Sequence, residues 1–508
     1  MLSDYPHLDA TELAARIARR EVCCVELLRA ALARLDVCNP QLHAVVYDWR
    51  EQALEQARAF DALAPGDARR AAPFAGVPFL LKDLGQDLRG LPASWGSRAR
   101  RGVRAAATSA VVRRWQAGGL LVLGKTNLPE LALKAVTEPA LFGPCRNPWD
   151  LQRTPGGSSG GSGAAVAAGI VPLAGASDGG GSIRIPAAYC GLFGLRPSRG
   201  RVSHAPQADE FWEGASSTHV LTRSVRDSAL ALDVVAGAEP GDPFAVAAPA
   251  RPYAQQIATP PGRLRIGFSV DSPLGGEVHA DHVEAVQRAA ALLRELGHDV
   301  EPAAPCIDGM ALAQSYLGMY FGQVAAEVRR CRREFGARNT DFELDTRALA
   351  AIGESMPAAA YVQLHQRWNG FARALAEFHA RHDLLLTPTT AQPPARIGEL
   401  DAPAWQQHAL RALLGLGLGG LLRRSGMVED LARVSLARTP FTQLANLTGV
   451  PAMSVPLHHG AAGLPVGVQF IAPWGREDLL LRLAAQLEAA HPWSGRRPPD
   501  PADAVVRA

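Results

Sequence analysis

Three consecutive glycines run into a serine at Gly179, Gly180, Gly181 and Ser182, and residues of those types in that order can perform acyl transfer. Glycine has no Cβ, so a ligand can come close to its main-chain N–H groups. Several such donors beside a serine hydroxyl would stabilise the oxyanion of a tetrahedral intermediate, and losing one donor typically costs about 3 kcal/mol. Ser182 is therefore a candidate nucleophile. A helix dipole behind it is uncertain support, because Pro186 is itself favoured at a first helical position.

A serine nucleophile needs a base. The fourteen histidines are scattered and none adjoins a glycine loop of this kind, so spacing alone leaves the base open. A lysine closing a buried strand is a physical candidate, because desolvation disfavours its charged form. Lys82 closes the run PFAGVPFLLK. To be neutral near pH 7 its pKa must fall about 3 units from 10.4, or roughly 4 kcal/mol. Burial beside hydroxyls supplies a shift of that sign, and strand alternation would point Asp83 to the opposite face. Only three of the 52 basic residues are lysines, Lys82, Lys125 and Lys134. Arginine does not lose its proton in a protein and lysine can, although codon drift accounts equally well for any one of the three.

Other motifs compete and fall short. Gly156–Gly160 and Gly157–Gly161 both read G-x-S-x-G, but a nucleophile elbow needs a strand directly before it, and NPWDLQRTP stands there. No lysine has a serine three residues earlier, which excludes S-x-x-K. GLGLGG at Gly415–Gly420 matches a dinucleotide fingerprint by spacing, yet it follows a helix-like stretch instead of a strand. A mobile lid is the alternative to a nucleotide site for this stretch, and the sequence leaves open whether 412–422 forms one.

The elements that must position these residues follow from periodicity. Apolar residues at helical spacing cover Asp9–Leu35 and Asp48–Leu63, a helical lead-in spanning 1–65. PFAGVPFLLKD, a helix over Thr108–Ala117 and GLLVLG at Gly119–Gly124 give strand, helix, strand, which implies a parallel, covered sheet of the α/β class. Within Arg153–Arg199, helix-like segments at Ala164–Ile170 and Pro186–Leu192 interrupt the glycines, so we expect glycine loops folded over helices instead of a linker. Strands are expected at Leu264–Val270, Asp383–Thr389, Ala452–Leu457 and Val466–Ala472, and helices at Asp281–Leu296 and Asp478–Ala489. No linker divides the chain, so one large α/β domain spans 1–508, with a catalytic core at 73–200.

Composition narrows the function classes. The 508 residues are 47% hydrophobic and 20% charged with a net charge of +3, enough to bury a large core and too balanced to hold a polyanion. The local cluster Arg98, Arg100, Arg101 and Arg104 reads as a solvated loop. Seven cysteines without paired C-x-x-C spacing argue against a zinc site or a disulfide framework and for a reducing compartment. The N-terminus lacks an apolar signal core, and the longest apolar stretch near the end, Ala412–Leu422, is far below the roughly 20 residues that span a bilayer. We expect a cytoplasmic protein with no nucleic-acid or membrane partner.

Several longer segments resemble the amidase signature family: GVPFLLKD around Lys82, GKTNLPE at Gly124–Glu130, NPWDLQRTPGGSSGGSGAA at Asn147–Ala165 and SDGGGSIRIPAAYCGLFGLRPSRG at Ser177–Gly200. FTQLANLTGVPAMSVP and GLPVGVQFIAPWGREDLLL extend the likeness towards the end of the chain. The resemblance implies a mixed, mostly parallel sheet covered by helices on both faces. It implies a Ser-Ser-Lys triad, with Ser182 as nucleophile, Ser158 as a bridging serine on a cis peptide and Lys82 as base. The N–H groups of Gly179, Gly180, Gly181 and Ser182 would form the oxyanion hole, and Ser159, Asp178 and Arg184 would hold the loops. The implied reaction is amide hydrolysis through an acyl-enzyme, without metal or cofactor, on a small-molecule amide. TEPALFGPCRNPWDL and GREDLLLRLAAQLEAAHPW look most like the branch that opens 6-aminohexanoate (nylon) oligomers, including the cyclic dimer. General aliphatic or aryl amides and carbamates are the alternatives. An A-type subunit of a glutamyl-tRNA amidotransferase is disfavoured by the missing nucleic-acid footprint, and a silent relative by the intact Lys82, Ser158 and Ser182 set. The section 308–430 departs most from the family and, with the loop after GKTN, would shape the pocket. Leu133, Met319 and Tyr320 are candidate walls, with core packing the competing reading for each. A homodimer is the expected assembly.

Overall fold

Strands form where short apolar runs are cut by glycine, proline or aspartate. In the computed structural model, which describes residues 2, 4–206, 208, 210–424 and 433–500, eleven strands join one sheet. They are β1 (Val45–Asp48), β2 (Pro78–Lys82), β3 (Leu121–Thr126), β4 (Leu173–Asp178), β5 (Phe193–Arg196), β6 (Ser217–Thr222), β7 (Arg265–Phe268), β8 (Asp299–Pro302), β9 (Leu384–Pro388), β10 (Ala452–His459) and β11 (Pro465–Ile471). Their spatial order is β1-β3-β2-β4-β6-β5-β10-β11-β9-β7-β8. The sheet is mixed. Parallel pairs link β3, β2 and β4 near one edge and β9, β7 and β8 at the other, while the strands from β4 through β6, β5, β10 and β11 to β9 pair antiparallel. Successive side chains point to opposite faces of a strand, and every residue of β2, β3, β4, β6, β9 and β11 is buried. Both faces of the sheet are therefore covered.

The crossover from β2 to β3 runs through the helix Ala110–Ala117, as the strand, helix, strand reading requires. The glycine-rich section holds helices Gly160–Ala167 and Arg184–Cys190, with β4 between them. That strand was not expected, because alanines and glycines hide its alternation. Glycine has a steric reason at position 161: a Cβ there would sit 2.4 Å from the Asn127 amide nitrogen and 2.5 Å from the Ala44 carbonyl oxygen.

The lead-in is less uniformly helical than its periodicity suggests. Helices Ala10–Ala18 and Cys24–Leu42 are separate, and β1 follows them to pair antiparallel with β3. Residues 1–65 thus contribute an edge strand to the catalytic sheet. The arginine cluster also differs from a solvated loop. Arg98, Arg101 and Arg104 are exposed, but Arg100 is buried, stacks 3.8 Å from the Trp95 ring centroid and pairs with Glu327. A planar guanidinium can be buried where an aromatic face and a carboxylate receive it.

Helices Gly309–Phe335, Leu344–Glu354, Ala358–His379 and Ala404–Gly415 build the variable section around a second apolar cluster that includes Tyr316, Phe321, Ile352 and Trp368. GLGLGG begins where the helix Ala404–Gly415 ends, and Gly417 takes a left-handed φ of 72°. Residues 425–430 of this section lie outside the described residues. Among those described, no helix is long and apolar enough to cross a membrane.

Candidate active site

β2 and β4 run side by side in the same direction, so their C-terminal ends deliver Lys82 and Ser177 to one edge of the sheet. Gln86 ties the two ends together: its Oε1 accepts the Lys82 amide at 2.7 Å and its Nε2 donates to the Ala176 carbonyl at 3.1 Å. The Lys82 side chain is fully buried. Its Nζ donates to Ser158 Oγ at 2.8 Å, Ser177 Oγ at 2.9 Å and the Ser177 carbonyl at 3.4 Å. None of these partners is charged. Burial therefore pulls the pKa of Lys82 from 10.5 down to about 7, against the weaker opposing pull of Asp178, as desolvation of a cation requires. Asp83, the next residue, indeed faces away, where it accepts from Lys125 Nζ at 3.1 Å.

Ser158 follows a cis peptide bond from Gly157 and lies just before the helix Gly160–Ala167. Gly157 is pressed against the chain 134–136, where a Cβ would meet the Lys134 carbonyl oxygen at 2.6 Å. Ser159 donates its amide to the Ser182 carbonyl at 3.3 Å and its hydroxyl to the Ser177 carbonyl at 3.2 Å. The two glycine-rich loops are thereby joined.

Beneath Gly179–Ser182 lies a fully buried ion pair. Arg184 donates to both carboxylate oxygens of Asp178, through Nε and Nη2, each at 2.9 Å. Burial opposes ionisation of Asp178, but Arg184, Arg196 and Asn446 hold its carboxyl well below the usual range. Arg184 also donates to Gln469 Oε1 at 2.6 Å and Asn446 Oδ1 at 2.7 Å. The Gly180 carbonyl accepts from Thr442 Oγ1 at 2.6 Å and Gln443 Nε2 at 3.2 Å. Breaking a buried pair of this kind leaves an uncompensated charge and costs about 3–5 kcal/mol, so the loop rests on a stiff base. The Asp178 carboxylate also takes the Gly181 amide at 2.7 Å. Gly181 thus differs from the other three members of the loop. Among the described residues, the amides of Gly179, Gly180 and Ser182 have no internal acceptor.

Ser158, Ser177, Gly179, Gly180 and Ser182 open onto one cavity of about 1060 Å³. Leu133 and Tyr320 line it. Met319 does not. On the helix Gly309–Phe335 the cavity receives Tyr316, Leu317 and Tyr320, and Met319, 2% exposed, packs into the helical cluster instead, since it lies off that face at about 100° per residue. Sequence reasoning missed Ser177, Tyr316, Asn446 and Gln469. Recognising β4 would have placed Ser177 beside Lys82, and Tyr316 stands one turn before Tyr320, the spacing at which helical neighbours share a face. Among the described residues, no group of three His, Cys, Asp or Glu side chains is placed to hold a metal ion.

Comparison with known proteins places the chain in a family. The family described as Amidase matches residues 26–419 and 420–481. A 6-aminohexanoate-cyclic-dimer hydrolase of Pseudomonas sp. (strain NK87) is 38% identical, over 96% of each chain. The structure of 6-aminohexanoate cyclic dimer hydrolase complexed with substrate superposes with a TM-score of 0.85 and 36% identity, covering 97% of this chain and 99% of that one. A bacterial aryl acylamidase of the amidase signature family superposes with a TM-score of 0.81 and 27% identity, covering 96% and 97%. On a family match along most of its length, the chain belongs to the amidase family and is an amide-hydrolysing enzyme.

Proposed function

We propose that the chain cleaves a carbon–nitrogen amide bond through an acyl-enzyme on Ser182, with Ser158 as proton relay and Lys82 as base. The observation that carries the reading is the Lys82 Nζ to Ser158 Oγ hydrogen bond of 2.8 Å, made by a fully buried amine whose pKa of about 7 leaves it a proton acceptor at neutral pH. Lys82 takes the Ser158 proton as Ser158 takes that of Ser182, and Ser182 Oγ attacks the carbonyl carbon. The amides of Gly179, Gly180 and Ser182 stabilise the resulting oxyanion. The tetrahedral intermediate collapses with cleavage of the C–N bond, and the proton passes back through Ser158 to the leaving nitrogen. Water then gives a proton to the same relay, adds to the ester carbonyl and releases the acid with Ser182 restored.

The proposed substrate is the cyclic dimer of 6-aminohexanoate or a related nylon oligomer. The reading is supported by the 38% identity to a hydrolase of that dimer along nearly the whole chain and by the largely apolar walls of the cavity. The aromatic wall of Tyr316, Tyr320 and Trp212 favours aryl amides as the second reading. We place the enzyme in the cytoplasm, because all seven cysteines are free thiols and six of them are at least partly buried, and we propose a homodimer, to be checked by light scattering. The deciding experiment is a hydrolysis panel of the cyclic dimer, its linear oligomers, an anilide and a carbamate, with Ser182→Ala as control. Turnover of the cyclic dimer tenfold above the anilide sustains the first reading, the reverse order replaces it with the second, and turnover that persists in Ser182→Ala overturns the nucleophile.

A further inference from the structure

The cavity wall facing the glycine loop carries a polar group that the scheme above does not use. Tyr316, on the helix Gly309–Phe335, is 7% exposed and lines the same cavity as Ser182. Its hydroxyl closes on the loop so tightly that a Cβ on Gly180 would lie 2.1 Å from Tyr316 Oη. Among the described residues the hydroxyl has no hydrogen-bond partner. The one polar atom of Gly180 that points elsewhere, its carbonyl, is already taken by Thr442 and Gln443.

The ring is held in place. Tyr316 stacks on Tyr320, centroids 6.1 Å apart and planes at 24°. Tyr320 donates its own hydroxyl to the Leu133 carbonyl and meets Trp212 edge-on at 5.4 Å. Trp212 in turn covers Gly179, where a Cβ would lie 2.9 Å from its Cε3. Two aromatic rings thus cap the two glycines whose amides lack internal acceptors, and Tyr320 braces both. Because Tyr316 lines the cavity, its hydroxyl is free to donate to a substrate oxygen seated at the loop.

We infer that the Tyr316 hydroxyl is a further donor to the oxyanion, acting beside the amides of Gly179, Gly180 and Ser182. Burial pushes its phenol above the ordinary value, so it stays protonated and can donate across the neutral range. A neutral donor aimed at developing charge stabilises the transition state more than the ground state. It also gives Gly180 a second reason to be glycine, since any side chain there would displace the phenol.

The inference rests on Ser182 being the nucleophile, and the test separates the two. Tyr316→Phe removes one oxygen and keeps the stacked ring. The variant and the wild type are labelled with a fluorophosphonate, whose phosphoryl oxygen occupies the same hole, and assayed on 6-aminohexanoate cyclic dimer and an anilide. The labelling rate and kcat should each fall about tenfold to a hundredfold, with KM within about twofold and labelling still reaching one adduct per chain. Labelling at the wild-type rate, or a loss confined to KM, overturns the role of Tyr316 alone. A wild type that is never labelled overturns the nucleophile, and this inference with it.

Discussion

Lys82 and Lys125 are both fully buried, stand on the neighbouring parallel strands β2 and β3, and nevertheless carry opposite electrostatics. In the register of that pair Lys125 lies beside Leu81 and Lys82 beside Thr126, so the two side-chain amines leave the sheet on opposite faces. Lys82 meets hydroxyls and a carbonyl, and burial brings its pKa to about 7. Lys125 meets Asp83 at 3.1 Å and Asp87 at 3.0 Å. Burial disfavours its charge too, but the two carboxylates outweigh that and raise its pKa. Desolvation alone therefore does not make a base. What makes one is desolvation without a carboxylate, and β2 achieves it by sending Asp83 to the face where Lys125 waits.

The comparison breaks most sharply under matched substitutions. Lys82→Met should reduce kcat by about 10²- to 10⁴-fold, the usual worth of a positioned general base, while the urea midpoint stays at or above that of the wild type because no charge is stranded. Lys125→Met should strand Asp83 and Asp87 in the core and cost about 3–5 kcal/mol of stability, read from urea denaturation. If the activity loss and the stability loss fell on the same variant, the two lysines would not be doing different jobs.

The pH dependence sharpens the same contrast. Lys82 must be neutral to accept a proton, so kcat/KM should climb with pH along a limb centred near 7, and the residual activity of Lys82→Met should lack that limb. Stability follows in a stated direction. Between about 7 and 10.5 the unfolded chain holds a proton on Lys82 that the folded chain does not, so this group makes the protein more stable as pH rises through that window, and its full cost remains below it. Urea midpoints at pH 7 and pH 9, taken as the difference between wild type and Lys82→Met, check the sign. The wild type should gain on Lys82→Met between pH 7 and pH 9, and a wild type that gains nothing or loses ground would mean that Lys82 is charged in the folded protein.

Much of this was legible before any coordinates. Lys82 at the end of an apolar run and Ser182 behind three glycines are local patterns, and local patterns survive in sequence. The strand, helix, strand order around Thr108–Ala117 was equally plain, because two short apolar runs flank a stretch with apolar residues at helical spacing. What stayed hidden depends on pairing across long separations. β4 has too many small residues to show alternation, so Ser177 could not be seen approaching Lys82. Arg100 looks like a solvated cation until Trp95 and Glu327 are brought to it from 5 and 227 positions away. The Asp178 carboxylate is supported by Asn446, 268 residues on, and no local signal announces that. The antiparallel middle of the sheet was invisible for the same reason, since β5 pairs on one side with β6 and on the other with β10, far along the chain.

The smallest expected effect tests the pocket wall at a single helix. Met319 and Tyr316 are three residues apart and both pack in the helical cluster, yet of the two Tyr316 alone lines the cavity. Met319→Leu conserves volume in a well-packed site and should cost less than about 1.5 kcal/mol, with KM for any accepted amide moving by less than about twofold. Leu317→Ala, on the cavity face, removes apolar contact from the pocket itself, where the loss of a few methylenes is worth about 1–3 kcal/mol in discrimination. It should therefore shift the ratio of kcat/KM between the cyclic dimer and a bulkier anilide in favour of the bulkier substrate. Should Met319→Leu change that ratio more than Leu317→Ala does, the helix would present a different face to substrate, and the partition between wall and core along Gly309–Phe335 would have to be redrawn.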